Sequence, residues 1–128
     1  MPVAPAPFPR AARLLKAKDF SHLRTAGRRI GTQHLSAQIA ANTVDGARLG
    51  LAISKRVSKS AVRRNRIKRL ARDSFRRVRG TLPAFDILLI ARSSADQEDN
   101  ASLRAELARL WQRIATLNPA LPTGTMRD

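Results

Sequence analysis

The spacing of apolar positions changes along this chain, and each change marks a new element. Leu14 to Thr25 carries helical spacing, with Phe20 and Leu23 on its apolar side and Gly27 ending it. Leu35, Ala37, Ile39 and Ala41 then alternate with Ser36, Gln38 and Ala40, which is strand periodicity. Asp45-Gly46 is a turn signal, and Leu49, Leu51 and Ile53 alternate again beyond it, so these two runs are expected to pair as a hairpin. On the other face of the second run Gly50 and Ala52 are small, either to admit another backbone or a ligand or to pack under a helix. A long helix is predicted over roughly Ser60 to Val78. Phe85 to Ala91 is apolar almost throughout, as a central strand covered on both faces should be. Asn100 can cap a last helix in which Leu103, Leu107, Leu110, Trp111, Ile114 and Leu117 make one stripe. Trp111 has the chemistry of a base-stacking platform, but its place on that stripe reads as core.

The predicted order is helix, hairpin strands, long helix, strand, helix. That is a single α+β domain with helices packed on one mainly antiparallel sheet. Residues 1–12 are rich in Pro and Ala and read as a disordered leader, residues 13–117 as the folded domain, and residues 118–128 as a flexible tail broken by Pro119, Pro122 and Gly124.

Charge changes this picture more than any other bulk property. The 128 residues hold 25 Lys and Arg against 9 Asp and Glu, a net +16. Twelve of those cations lie between Ser54 and Gly80 with only Asp73 opposing them, so +11 is concentrated on the predicted long helix and the turn before it. Self-repulsion of this density calls for a polyanion, and the excess of Arg over Lys favours phosphate. Nucleic acid is therefore the first candidate partner, ahead of an anionic membrane surface or an acidic protein. The absence of cysteine excludes disulfides, thiolate zinc sites and cysteine nucleophiles. No apolar run approaches the ~20 residues of a membrane helix. Pro2, Pro5, Pro7 and Pro9 interrupt the N-terminus before any signal-like stretch develops, so a cytoplasmic protein is expected.

At about 100° per residue the basic helix has two opposed faces. Ile67, Leu70, Ala71, Ser74 and Val78 fall in one stripe that should face the sheet. Asn65, Lys68, Arg69, Arg72 and Arg76 fall opposite. Arg63 lands on the apolar stripe, tolerable in a first turn, and is the least secure of the candidate contacts. Asn65 gives nothing to a helix interior, yet its amide both donates and accepts, which suits a sugar, base edge or phosphate.

These residues carry a family resemblance. Leu49-Gly-Leu-Ala-Ile-Ser-Lys-Arg-Val57, followed by Ala61-Val-Arg-Arg-Asn-Arg-Ile-Lys-Arg-Leu-Ala-Arg-Asp-Ser-Phe75, resembles the protein subunit of bacterial ribonuclease P. The Arg64-Asn65-Arg66 centre with Ile67-Lys68-Arg69 is that family's signature. Arg13-Leu14, Asp19-Phe20, the segment around Leu82 to Arg92 and the Trp111 helix extend the likeness over about residues 13–117. The resemblance implies a protein that binds a catalytic RNA and the 5′ leader of precursor tRNA, whose removal forms the mature 5′ end. Arg64, Asn65, Arg66, Lys68, Arg69 and Arg72 match the RNA-contacting motif. Lys55 and Arg56 lie in the adjoining loop, and Arg63 and Arg76 extend the block. Phe20 is a candidate to line the leader cleft, although Arg24 and Gln38 stand where some members carry further aromatics, so part of any stacking there must be replaced by polar contact. The implied partners are ribonuclease P RNA and precursor tRNA, with no membrane and no protein partner required. Mg2+ is implied for the RNA-containing holoenzyme, and no cofactor is expected on the protein.

No catalytic constellation emerges from the chain itself. His22 and His34 lack ligand spacing and read as surface or half-buried imidazoles. Asp96, Glu98 and Asp99 are the one acidic cluster, and they precede a helix whose dipole favours them there over a metal site. Two competing readings are a helix-turn-helix DNA-binding protein and a basic ribosomal protein. The first needs a helix over about Leu49 to Lys55, where the pattern alternates as a strand.

Overall fold

The computed structural model describes Leu23, residues 27–42 and residues 46–117. Four strands, β1 (Arg28–Gly31), β2 (Leu35–Ala41), β3 (Arg48–Ala52) and β4 (Phe85–Ala91), form one sheet in the order β1-β2-β4-β3. Helix α1 (Ala61–Val78) links β3 to β4, and α2 (Asn100–Ala115) follows β4 after a short 3-10 turn over Ser93–Gln97. The expected α+β class, one sheet with helices on it, is what forms.

The pairing differs from the expected hairpin. β2 does not pair with β3: β2 pairs antiparallel with β4, from Leu35 opposite Ala91 to Ala41 opposite Phe85, and β3 pairs parallel with β4. A turn signal records that the chain bends, not which strand it returns beside. The most apolar strand takes the centre, where both of its faces can be covered. The true hairpin is β1 with β2, in register from Arg28 opposite Ile39 to Gly31 opposite Ser36. Periodicity is silent on β1 because Arg-Arg-Ile-Gly has one large apolar residue. The first helix required by a helix-turn-helix is replaced by strand β3.

One sheet face carries the core. Ala37 and Ile39 of β2, Leu49 of β3 and Phe85, Ile87 and Leu89 of β4 are buried with Ile67, Leu70, Ala71 and Phe75 of α1 and with Leu103, Leu107, Leu110, Trp111 and Ile114 of α2. Phe75 joins the stripe where Ser74 was expected to face the sheet. Ser74 instead accepts a hydrogen bond from the Trp111 indole, and the Phe75 and Trp111 rings meet edge to face with centroids 5.6 Å apart. Trp111 is thus core, with its N–H satisfied.

On the opposite face Leu23, Ala40 and Leu88 form a second small cluster. Leu23 is helical and buried, in agreement with the predicted first helix; the other residues of that expected segment, with Phe20, His22 and Arg24, lie outside the described residues, as do residues 1–12 and 118–128.

Three polar anchors, two of them buried, fasten this frame. Asp86, near the start of β4, accepts two hydrogen bonds from Arg48 (2.7 and 2.6 Å) and one from Asn42 (2.8 Å). Glu106 of α2 accepts from the Thr32 hydroxyl and the His34 backbone N–H (2.8 Å), tying the β1–β2 connection to that helix. Arg79 donates to the Ala47 carbonyl (2.9 Å) beside Gly46, whose φ of 101° is left-handed backbone that glycine adopts freely.

Candidate nucleic-acid interface

Helix α1 starts as the sequence indicates: Ser60 is its N-cap and accepts from the Arg63 N–H. Once Ile67, Leu70, Ala71 and Phe75 are docked, the polar positions are forced outward. They do not share one environment. Near the helix start, Arg63 pairs with Asp96 (2.7 Å) and donates to its carbonyl. Arg64 folds back onto the Ser58 and Lys59 carbonyls (2.8 and 3.1 Å). Arg66 reaches the loop before α2, donating to the Glu98 carbonyl (3.0 Å), the Asn100 side chain (2.8 Å) and the Asp96 carbonyl (3.3 Å).

Arg63 therefore stands exposed rather than on the buried stripe, because a long side chain leaving the first turn can swing to a carboxylate across the groove. Toward the other end, Arg76 pairs with Asp73 (2.7 Å).

Between them Asn65, Lys68, Arg69 and Arg72 make no side-chain hydrogen bond or ion pair among the described residues. Asn65, Arg69 and Arg72 are exposed, and Lys68 is half-buried. Lys55 and Arg56, in the turn before α1, are exposed as well. This face offers three fixed positive charges and one amide, free to meet phosphate oxygens without first breaking an internal contact.

The acidic cluster is consumed structurally. Asp96 holds Arg63, and Glu98 lies 3.5 Å from the His34 imidazole, whose other nitrogen meets Ser94 (2.7 Å). Asp99, rather than Asn100, caps α2 by accepting from the Ser102 N–H (2.7 Å). That bond, a further one from the Ser102 side chain and the nearby Arg66 charge hold the Asp99 carboxyl below its ordinary 3.8. No group of His, Asp and Glu among the described residues is arranged to hold a metal ion. None of those residues forms a helix long and apolar enough to cross a membrane.

The sheet face away from α1 and α2 is the second candidate surface. Its register aligns Arg29, Gln38, Leu88 and Gly50 in one row, and Gly31, Ser36, Ile90 and Ala52 in the next. Gly50 is buried and Ala52 is exposed. The Ser36 hydroxyl is buried, with no hydrogen-bond partner among the described residues. Sequence reasoning missed Asn100 and Arg104 of α2, which flank the start of α1. Their stripe position marks them only as solvent-facing.

Comparison with known proteins agrees with the motif. The Ribonuclease P family model matches residues 8–115. The chain is 38% identical over 109 residues to the ribonuclease P protein component of Thioalkalivibrio sulfidiphilus, covering 85% of this chain and 91% of that one. It is 37% identical over 108 residues to the component from Aliivibrio salmonicida, covering 84% and 92%. Its fold is similar to the RNase P protein of Staphylococcus aureus, with a TM-score of 0.75 at 29% identity, covering 84% of this chain and 97% of that one. The Thermotoga maritima RNase P protein superposes with a TM-score of 0.71 at 31% identity, covering 80% and 96%.

Proposed function

Because this chain belongs to the ribonuclease P protein family, whose members are the protein component of a tRNA-processing enzyme, we infer that it binds the enzyme's RNA through the free face of α1 and holds the 5′ leader of precursor tRNA on the sheet face away from α1 and α2. The observation that carries this reading is the set of Asn65, Lys68, Arg69 and Arg72, which have no side-chain partner among the described residues, on a helix whose other side is locked into the core. Each such cation can displace counterions from an RNA backbone, and the helix face presents the set along a line roughly 10 Å long. Lys55 and Arg56 extend that line before the helix.

The chemistry of cleavage belongs to the RNA subunit in this reading, with Mg2+ bound mainly by RNA phosphates. The protein contributes position: it neutralises phosphates that otherwise repel and keeps the leader beside the scissile bond. The half-buried Gln38 amide supplies a polar contact to a single strand where stacking aromatics are scarce. Phe20 remains the proposed aromatic of that cleft, and Arg63, Arg64, Arg66 and Arg76 act more by shaping the surface than as its free charges.

The test is cleavage of a precursor tRNA by bacterial ribonuclease P RNA at low magnesium, with and without the protein. Correct 5′ processing that depends on the protein and is lost in the Arg69→Ala/Arg72→Ala double variant is the expected outcome. No stimulation, with tight binding to a different RNA or to duplex DNA, overturns it.

A further inference from the structure

We propose that the recess between the start of α1 and the start of α2 receives one unstacked nucleobase of the ribonuclease P RNA; this rests on the RNA-binding reading and deepens it. Val62, Asn65, Arg66, Arg69 and Leu70 line one wall at i, i+3, i+4, i+7 and i+8 of α1, and Asn100 and Arg104 line the other at i and i+4 of α2. The space measures about 350 Å³, at the lower end of the ~300–1,000 Å³ typical of small-molecule pockets. That suits one planar heterocycle and is far too small for a helix of RNA.

Val62 is the observation that needs explaining. It is 79% exposed, and among the described residues it is the large hydrophobic side chain left in water. It adds nothing to the core, and a β-branched residue on a solvent-facing helix surface is a poorer helix former than Ala. A lone exposed apolar side chain is ordinary; this one borders a recess ringed by arginines. An apolar contact inside a cationic rim matches the chemistry of a nucleotide, whose base is flat and weakly polar and whose phosphates are charged.

The other lining groups match the same ligand. The Arg66 guanidinium is held by three acceptors, the Asp96 and Glu98 carbonyls and the Asn100 side chain, so its plane is set before anything binds. Guanidinium planes of this kind serve as stacking surfaces for splayed-out RNA bases. The Asn65 amide is free, and it can donate to and accept from a base edge at once. Arg69 and Arg104 flank the recess as phosphate ligands. The recess lies on the helix-covered side of the sheet, opposite the face assigned to the leader, so the base comes from the RNA subunit. An acidic protein side chain would use the arginines and leave Val62 without a role.

The experiment uses the full chain carrying Val62→Ala, a change that keeps the helix and removes no buried contact. Affinity for ribonuclease P RNA is measured across a salt series without precursor tRNA. Base reactivity toward dimethyl sulfate is mapped in both complexes. The expected result is a roughly fivefold to tenfold loss of affinity with an unchanged log–log salt slope. One nucleotide protected by the wild type becomes reactive, while the melting temperature stays put. Wild-type affinity and protection in the variant overturn the proposal. Arg72→Ala, outside the recess, separates the two levels. If it too leaves affinity and slope unchanged, the RNA-binding reading fails and the base site with it. If it weakens binding while Val62→Ala does not, only the base site fails.

Discussion

The arginines of this chain divide into two populations that composition treats alike. Arg48, Arg63, Arg64, Arg66, Arg79 and Arg113 each donate to a carbonyl or carboxylate of the protein itself. Arg69 and Arg72, with Lys68 beside them, do not. Arg66 and Arg69 are neighbours on one helix face, one turn apart, and still belong to different populations. The acceptors decide this: the loop over residues 96–100 passes the first turns of α1 and offers backbone carbonyls there. A high positive charge is therefore not a measure of how many phosphates a protein can meet. Part of it is spent fastening loops, and only the remainder faces outward.

The largest effect is expected where an internal arginine is buried with its partner. The Asp86 side chain is 1% exposed and that of Arg48 20%. Asp86→Ala removes the buried carboxylate that accepts from Arg48 and Asn42, so unfolding in urea should lose about 3–5 kcal/mol. A loss under about 1 kcal/mol would mean that Arg48 turns to solvent without cost, and that the pair is incidental.

Arg72→Ala and Arg63→Ala sharpen the same division. Arg72→Ala should reduce the slope of log affinity against log salt by about one while stability stays within about 0.5 kcal/mol. Arg63 is 53% exposed and already faces Asp96. Its removal should cost about 0.2–1 kcal/mol of stability, as exposed ion pairs do, and barely move the salt slope. Equal slopes for the two variants would erase the distinction between engaged and free cations.

The smallest effect concerns Asp99. Its carboxyl is held below 3.8 in the folded chain, so the bonus from its charged form is present above that value and is lost as pH falls through the lower, folded one. The melting temperature of Asp99→Ala should sit modestly below wild type at neutral pH, and the gap should narrow in a thermal series taken below about 3.8. A gap that stays constant through that range would mean the cap acts without its charge.

Much of this molecule was legible from its sequence because local rules suffice for it. The ends of α1, the span of β4, most of the buried stripes and the outward face with Asn65, Arg69 and Arg72 follow from periodicity and capping, which depend on residues within a turn or two. The signature around Arg64-Asn65-Arg66 identified the family for the same reason: it is contiguous. Tertiary structure decided what periodicity cannot express. A buried face is visible in one strand's pattern, but its neighbour is not, and so β4 displaced the expected hairpin partner of β2. The sequence marks Asp86 and Glu106 as charges, and only partners dozens of residues away make them anchors. Whether an arginine waits for RNA or holds a loop depends on acceptors that arrive from another element, and the recess at Val62 exists only once α2 has packed beside α1.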